Sequence, residues 1–134
     1  MEYARTSSVS AEHAYGRASE NMLASLMMER FGVVPSPDKY AHFDFESTDA
    51  LVELKTRRVL STAYPDYMMN GCKLRAAAAS GKRAFFVYKF LDGTFFWEYD
   101  PTITLRTDFN GRRDRGCDET QFMHYLPATL FRRI

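Results

Sequence analysis

The stretch LVELKTRRV, residues 51–59, sets a carboxylate, Glu53, and an ammonium, Lys55, two positions apart inside an otherwise apolar run. A spacing of two puts both side chains on one face of a strand, while Leu54 packs behind it. Glu-x-Lys is common on solvated strands, so its meaning depends on what the chain sets beside it. Upstream, YAHFDF (residues 40–45) and ALVELKTRRV (50–59) read as two strands joined by the polar turn ESTD (46–49). Antiparallel pairing about that turn places Asp44 opposite Glu53, with Cβ atoms about 5 Å apart. Like charges facing each other destabilise a strand pair unless something positive lies between them. A hard divalent cation meets that need, because Mg2+ prefers carboxylate and carbonyl oxygen. Asp44, Glu53 and the carbonyl oxygen of Leu54 then make a ligand set. Lys55 sits where it can orient a water and stabilise charge growing on a phosphate. The competing arrangement is a twisted, exposed hairpin with both carboxylates in water.

A helix precedes this hairpin. From about Ser10 to Phe31 the apolar spacing is helical, and Gly32 is the stop signal. At 100° per residue Glu20 points within about 60° of Leu23, Met27 and Phe31, whereas Glu29 points the opposite way. A carboxylate on an apolar stripe must be paired, protonated or bound to a cation, or else sit at the edge and bend out to water. VVPSPDK (33–39) is a loop or an edge segment, and Asp38, after Pro37, is a reserve for Asp44. Glu46 falls in the turn and is expected in water.

Downstream, YPDYMMNGCKLRAAAASGK (64–82) reads as a second helix with Pro65 near its start; Gly71 weakens it by about 1 kcal/mol against alanine. RAFFVYKFLDGTFFWEYD (83–100) reads as a hairpin with Asp92-Gly93 in a type I′ turn. ITLRTDF (103–109) adds a strand, NGRRDRGCDET (110–120) is a polar basic loop, and residues 121–134 return to an apolar pattern without an assignment. The order helix, strands, helix, strands describes a mixed α/β or α+β chain.

With 134 residues, one domain spanning 1–134 is expected, its first ten residues polar and poorly ordered. The formal net charge of +1 hides an uneven distribution: −4 over residues 1–52, +5 over 53–83 and 0 over 84–134. Positive charge thus gathers just after Glu53, as a local phosphate-binding patch requires. Arg57 shares the face of Glu53 and Lys55. Lys73 and Arg75 on the second helix are candidate backbone contacts, although each taken singly reads as a surface residue. Tyr64, Tyr67 and Trp97 either stack on bases or pack in the core. His13, His42 and His124 show no ligand spacing, and no phosphate-cradling glycine loop or nucleophile elbow is present. Cys72 and Cys117 lack metal-ligand spacing, so two thiols in a reducing compartment are expected, one disulfide being the alternative. No apolar leader segment or membrane-length run appears, which points to a cytoplasmic protein without membrane contact.

GRASENMLASLMMERFG, FDF and VELKT together resemble the core of the PD-(D/E)xK nuclease superfamily, in a layout similar to small Holliday-junction resolvases and phage endonucleases. The resemblance covers roughly residues 12–90. It implies a restriction-endonuclease-like α/β core, a mixed sheet of four or more strands flanked by helices. It also implies Mg2+- or Mn2+-dependent hydrolysis of phosphodiester bonds in DNA, with roles in phage replication, recombination or repair. Glu20 after Gly16, Asp44 and Glu53-Leu54-Lys55 occupy the motif positions. Thr56 matches a Ser or Thr that follows the lysine, and Lys73 matches a basic residue on the next helix. So small an enzyme would need a homodimer, or a second visit, to cut both strands. A catalytically inactive nucleic-acid-binding module of the same fold and an RNA-cleaving enzyme are the competing expectations.

Overall fold

The computed structural model describes residues 22–38, 41–110 and 121–134. Helix α1 covers residues 22–31 of these, and the N–H of Gly32 closes its last turn on the carbonyl of Met28 at 3.0 Å. There follow β1 (Val34–Pro35), β2 (Phe45–Glu46), β3 (Ala50–Thr56), β4 (Asp66–Asn70), α2 (Gly71–Ser80), β5 (Arg83–Phe90), β6 (Gly93–Glu98), β7 (Arg106–Asn110), β8 (Gln121–Pro127), a short 3-10 turn (Ala128–Leu130) and β9 (Arg132–Arg133).

The main sheet has six strands in the order β1-β2-β3-β5-β6-β9, and β4-β8-β7 form a second, three-stranded sheet. Within the main sheet β3 and β5 run parallel and the other neighbours antiparallel. A parallel pair needs a long crossover, and here β4 and α2 supply it. The sheet is mixed for that reason.

The first five residues of β3, Ala50 to Leu54, are all buried, so the strand is covered on both faces. On one face Val52 and Leu54 join Leu23 and Met27 of α1, with Val33, Val87 and Phe96. On the other, Leu51 and Phe86 meet Leu74 and Ala77 of α2 and Tyr67, Met69 and Leu126 of the small sheet.

Four expectations are corrected. The segment 64–82 is not one helix: Asp66–Asn70 forms β4, in which buried Tyr67 and Met69 alternate with exposed Met68. The helix begins after Asn70, whose Oδ1 accepts from the N–H of Cys72 at 2.7 Å, the usual service of an N-cap. Glycine at 71 reflects close approach, because a Cβ there would lie 2.9 Å from the Phe122 carbonyl oxygen on β8. In the β5–β6 hairpin Phe90 pairs with Gly93, so Leu91 and Asp92 form the turn and Gly93 opens β6. Gly93 has φ 148°, and a Cβ there would run into the Arg133 guanidinium. The strand expected over 40–45 shrinks to Phe45–Glu46, with a bend at 42–44. Finally, Cys72 is disulfide-bonded rather than a free thiol. The expected order of residues 1–10, the start of the first helix and the 111–120 loop lie outside the described residues.

Candidate active site

Local chemistry sets the hairpin that carries the acidic pair. The N–H of Ser47 bonds the carbonyl of Ala50 at 2.8 Å, and Ser47 Oγ accepts from the Ala50 N–H at 3.0 Å. A turn closed there fixes the register Phe45↔Val52 and Glu46↔Leu51. One further step of that register sets Asp44 against Glu53. Regular pairing has already ended, and the Asp44 side chain takes its place: Oδ2 accepts from the Leu54 N–H at 2.8 Å. The N–H and C=O of one strand residue project to the same side, so the Leu54 carbonyl opens on the edge beside Asp44. Ser36 fastens this bend, with its N–H on the Asp44 carbonyl (2.9 Å) and its Oγ on the Phe43 carbonyl (2.7 Å).

Glu53 is 6% exposed, the one charged side chain buried among the described residues. Its Oε2 lies 3.3 Å from Lys55 Nζ and its Oε1 3.3 Å from Lys73 Nζ. Lys73 comes from the first turn of α2. It also donates to the His42 carbonyl and lies 5.7 Å from the centre of the Phe43 ring. Two ammonium groups thus converge on one carboxylate from two elements. Burial still pushes the Glu53 carboxyl above its ordinary value of 4.5, and the Asp44 charge pushes the same way, while Lys55 and Lys73 pull it back only in part. The two lysines thus match the two carboxylates in formal charge, and it is mainly the loss of water around Glu53 that they leave uncompensated.

Tyr88, a residue that sequence reasoning missed, forms the floor. It is the β5 partner of Lys55 and is 1% exposed, and its buried hydroxyl has no hydrogen-bond partner among the described residues. Burial raises its phenol well above the ordinary value, so it stays protonated. No local signal in the sequence marks it, because its place depends on the parallel pairing of strands 33 positions apart in register.

The other expected residues scatter around this centre. Arg57 is exposed, with its guanidinium 6.0 Å from the Tyr88 ring centre and a bond to the carbonyl of half-buried Thr56 (3.0 Å). Arg75 turns to the other side of α2, where it approaches Cys72 Sγ at 3.5 Å and covers Gly71 beside His124. Burial and the Arg75 charge hold the His124 imidazole below its usual range. Asp38 is exposed in the bend after β1, and Glu46 is half-buried as the last residue of β2 rather than solvated in the turn. Tyr67 and Trp97 are core residues, whereas Tyr64 is exposed. Glu20 lies outside the described residues.

Among the described residues no three His, Cys, Asp or Glu side chains gather into a metal-holding group. Asp44 and Glu53 make a pair, with the Leu54 carbonyl beside them. That set is all oxygen, the donor chemistry that a hard divalent cation takes. No helix among the described residues is long and apolar enough to cross a membrane.

The model of a family described as "Phage putative PDDEXK endonuclease" matches residues 3–134. No curated protein and no solved structure gives a match. The mixed sheet between helices is a restriction-endonuclease-like core, with Asp44 and Glu53-Leu54-Lys55 on its central hairpin. Matched over nearly its whole length and built on this core, the chain belongs to the phage PDDEXK endonuclease family.

Proposed function

We propose that this chain is a single-domain nuclease that hydrolyses phosphodiester bonds in DNA with the help of Mg2+ or Mn2+. The observation that carries the proposal is Glu53: a buried carboxylate, pushed up by burial and by Asp44, and held between two ammonium groups. Asp44, Glu53 and the Leu54 carbonyl would hold the cation, with Glu20 as the third carboxylate that the family pattern implies. A cation held there supplies positive charge to the phosphoryl oxygens and makes a bound water more acidic. The chain's own residues do the rest. Lys55, released from Glu53, orients the attacking water and meets charge developing on the phosphate. Lys73 holds the substrate phosphate, and Thr56 and Arg57 line the backbone path beside it. Arg75, on the far side of α2, would meet the strand farther from the scissile bond. A homodimer or a second visit would complete a double-strand cut. The protein would work in the cytoplasm of the host cell on replicating, recombining or repaired DNA.

The test is a cleavage panel of branched, duplex and single-stranded DNA and RNA in Mg2+, Mn2+ or EDTA, run beside Glu53→Ala and Lys55→Ala. Metal-dependent cutting of DNA that both substitutions abolish is expected. Activity surviving in both would overturn the assignment. Binding without cutting in any metal would favour an inactive module, and cutting of RNA alone would move the substrate class.

A further inference from the structure

Beyond β3, residues 57–65 cross the end of the sheet as a strap fastened at many points. The Arg57 N–H bonds the Lys89 carbonyl at 2.8 Å, and the Leu91 N–H bonds the Val59 carbonyl at 2.9 Å. The N–H and Oγ of Ser61 both donate to the Asp92 carboxylate, at 2.9 and 2.7 Å, and Tyr67 Oη donates to the Ser61 carbonyl at 3.3 Å. Of the exposed side chains on the strap Tyr64 is the one aromatic: it is 56% exposed, with its ring edge-on to Tyr67 at 6.0 Å. Tyr67 in turn lies 5.6 Å from Tyr88, the β5 partner of Lys55. Arg57, at the start of the strap, is exposed and has its guanidinium 6.0 Å from the Tyr88 ring. Two ring-to-ring steps therefore join an exposed aromatic face to the floor of the candidate active site.

We propose that this strap is a subsite for an unpaired base, with Tyr64 as the stacking platform and Arg57, beside Tyr88, on a phosphate between that base and the cut. The proposal rests on the nuclease reading above and narrows its substrate class. A base inside a duplex has both faces covered by its neighbours, whereas an unpaired base has a face free for an aromatic ring. The edge contact with Tyr67 leaves the Tyr64 ring faces for a base to settle on. At about 3.4 Å per stacked nucleotide, the two steps span no more than about three nucleotides from the floor, and fewer where the strand is extended. The preferred substrate is then DNA with unpaired nucleotides within about three positions of the cut, as in a flap, a gap or a branch point.

The test uses the full chain in EDTA with oligonucleotides carrying 2-aminopurine, a fluorescent base, either unpaired or within a continuous duplex. Quenching of the unpaired probe is expected in the natural protein and in Tyr64→Trp, and its loss in Tyr64→Ala and Tyr64→Leu; the leucine keeps an apolar contact with Tyr67. With Mg2+, Tyr64→Ala should raise KM for flap-bearing DNA about tenfold relative to continuous duplex, the scale of one base stacked on an aromatic ring. Equal quenching of both probes, or a KM ratio that Tyr64→Ala leaves unchanged, would overturn the subsite. Tyr64-dependent quenching without cleavage of any substrate would keep the subsite and remove the nuclease reading.

Discussion

The two faces of β3 follow different rules. On the α1 face, Val52 and Leu54 pack with Met27, Val33 and Val87, and every buried member of that cluster is apolar. On the α2 face, Leu51 and Phe86 are as well buried, yet Glu53 sits on the same face between Lys55 and Lys73, with the Tyr88 hydroxyl beneath. Apolar burial alone is enough to hold the sheet together, as the first face shows. A buried carboxylate adds nothing to that and costs stability unless its partners compensate fully. On the proposed reading, the contrast separates residues that fold the protein from residues that would act.

The contrast can be broken by substitution. The largest effect is expected from Glu53→Gln, which keeps the shape of the side chain and removes its charge. Cleavage should fall by about a thousandfold, the scale of losing one group that stabilises charge in the transition state, while circular dichroism still reports a folded chain. Met27→Ala, at a fully buried position on the α1 face, should do the reverse. Urea unfolding should show a loss of about 2–5 kcal/mol, with the cleavage rate of the folded protein preserved. A large loss of folding in the first variant, or of chemistry in the second, would erase the distinction.

Lys73→Ala should have a smaller effect, on the order of tenfold in cleavage rate, in keeping with one charged contact of about 1.4 kcal/mol. The smallest effect concerns pH. The Glu53 carboxyl titrates above 4.5 in the folded protein, so the folded state binds its proton more tightly than the unfolded state. That contribution to stability is full below about pH 4.5 and is lost as pH rises through the raised value. In EDTA, the urea midpoint of the natural protein should therefore decline across this window relative to that of Glu53→Gln. Parallel curves for the two proteins would show that Glu53 bears no strain.

The features written in neighbouring residues are the ones legible in the sequence. Strand parity near the polar turn is enough to put Asp44 and Glu53 on one face, but the register that sets them opposite comes from a turn closed between Ser47 and Ala50, one residue later than ESTD, with Glu46 already paired to Leu51. The helix that stops at Gly32 is legible for the same local reason. The β4–α2 boundary is not, since the alanine-rich body masks the strand alternation of Tyr67, Met68 and Met69 that precedes Asn70. The hairpin turn lies one residue earlier than the Asp92-Gly93 signal suggests, with Phe90 paired to Gly93 and the Arg133 guanidinium, distant in the chain, beside Gly93. Tyr88 under Lys55, and Lys73 against Glu53, depend on how β3, α2 and β5 assemble. The run of positive charge and the resemblance both pointed to Lys73, though not to its contact with Glu53, and nothing pointed to Tyr88.

On the proposed function, Asp44 and Glu53 would be the acidic half of a divalent-cation site beside Lys55. The most direct test is a Mn2+ titration followed by electron paramagnetic resonance, on the natural protein and on Asp44→Asn and Glu53→Gln. The account predicts saturable binding of Mn2+ by the natural protein and its loss in both variants. Binding that survives both substitutions, or no binding by the natural protein, would contradict it.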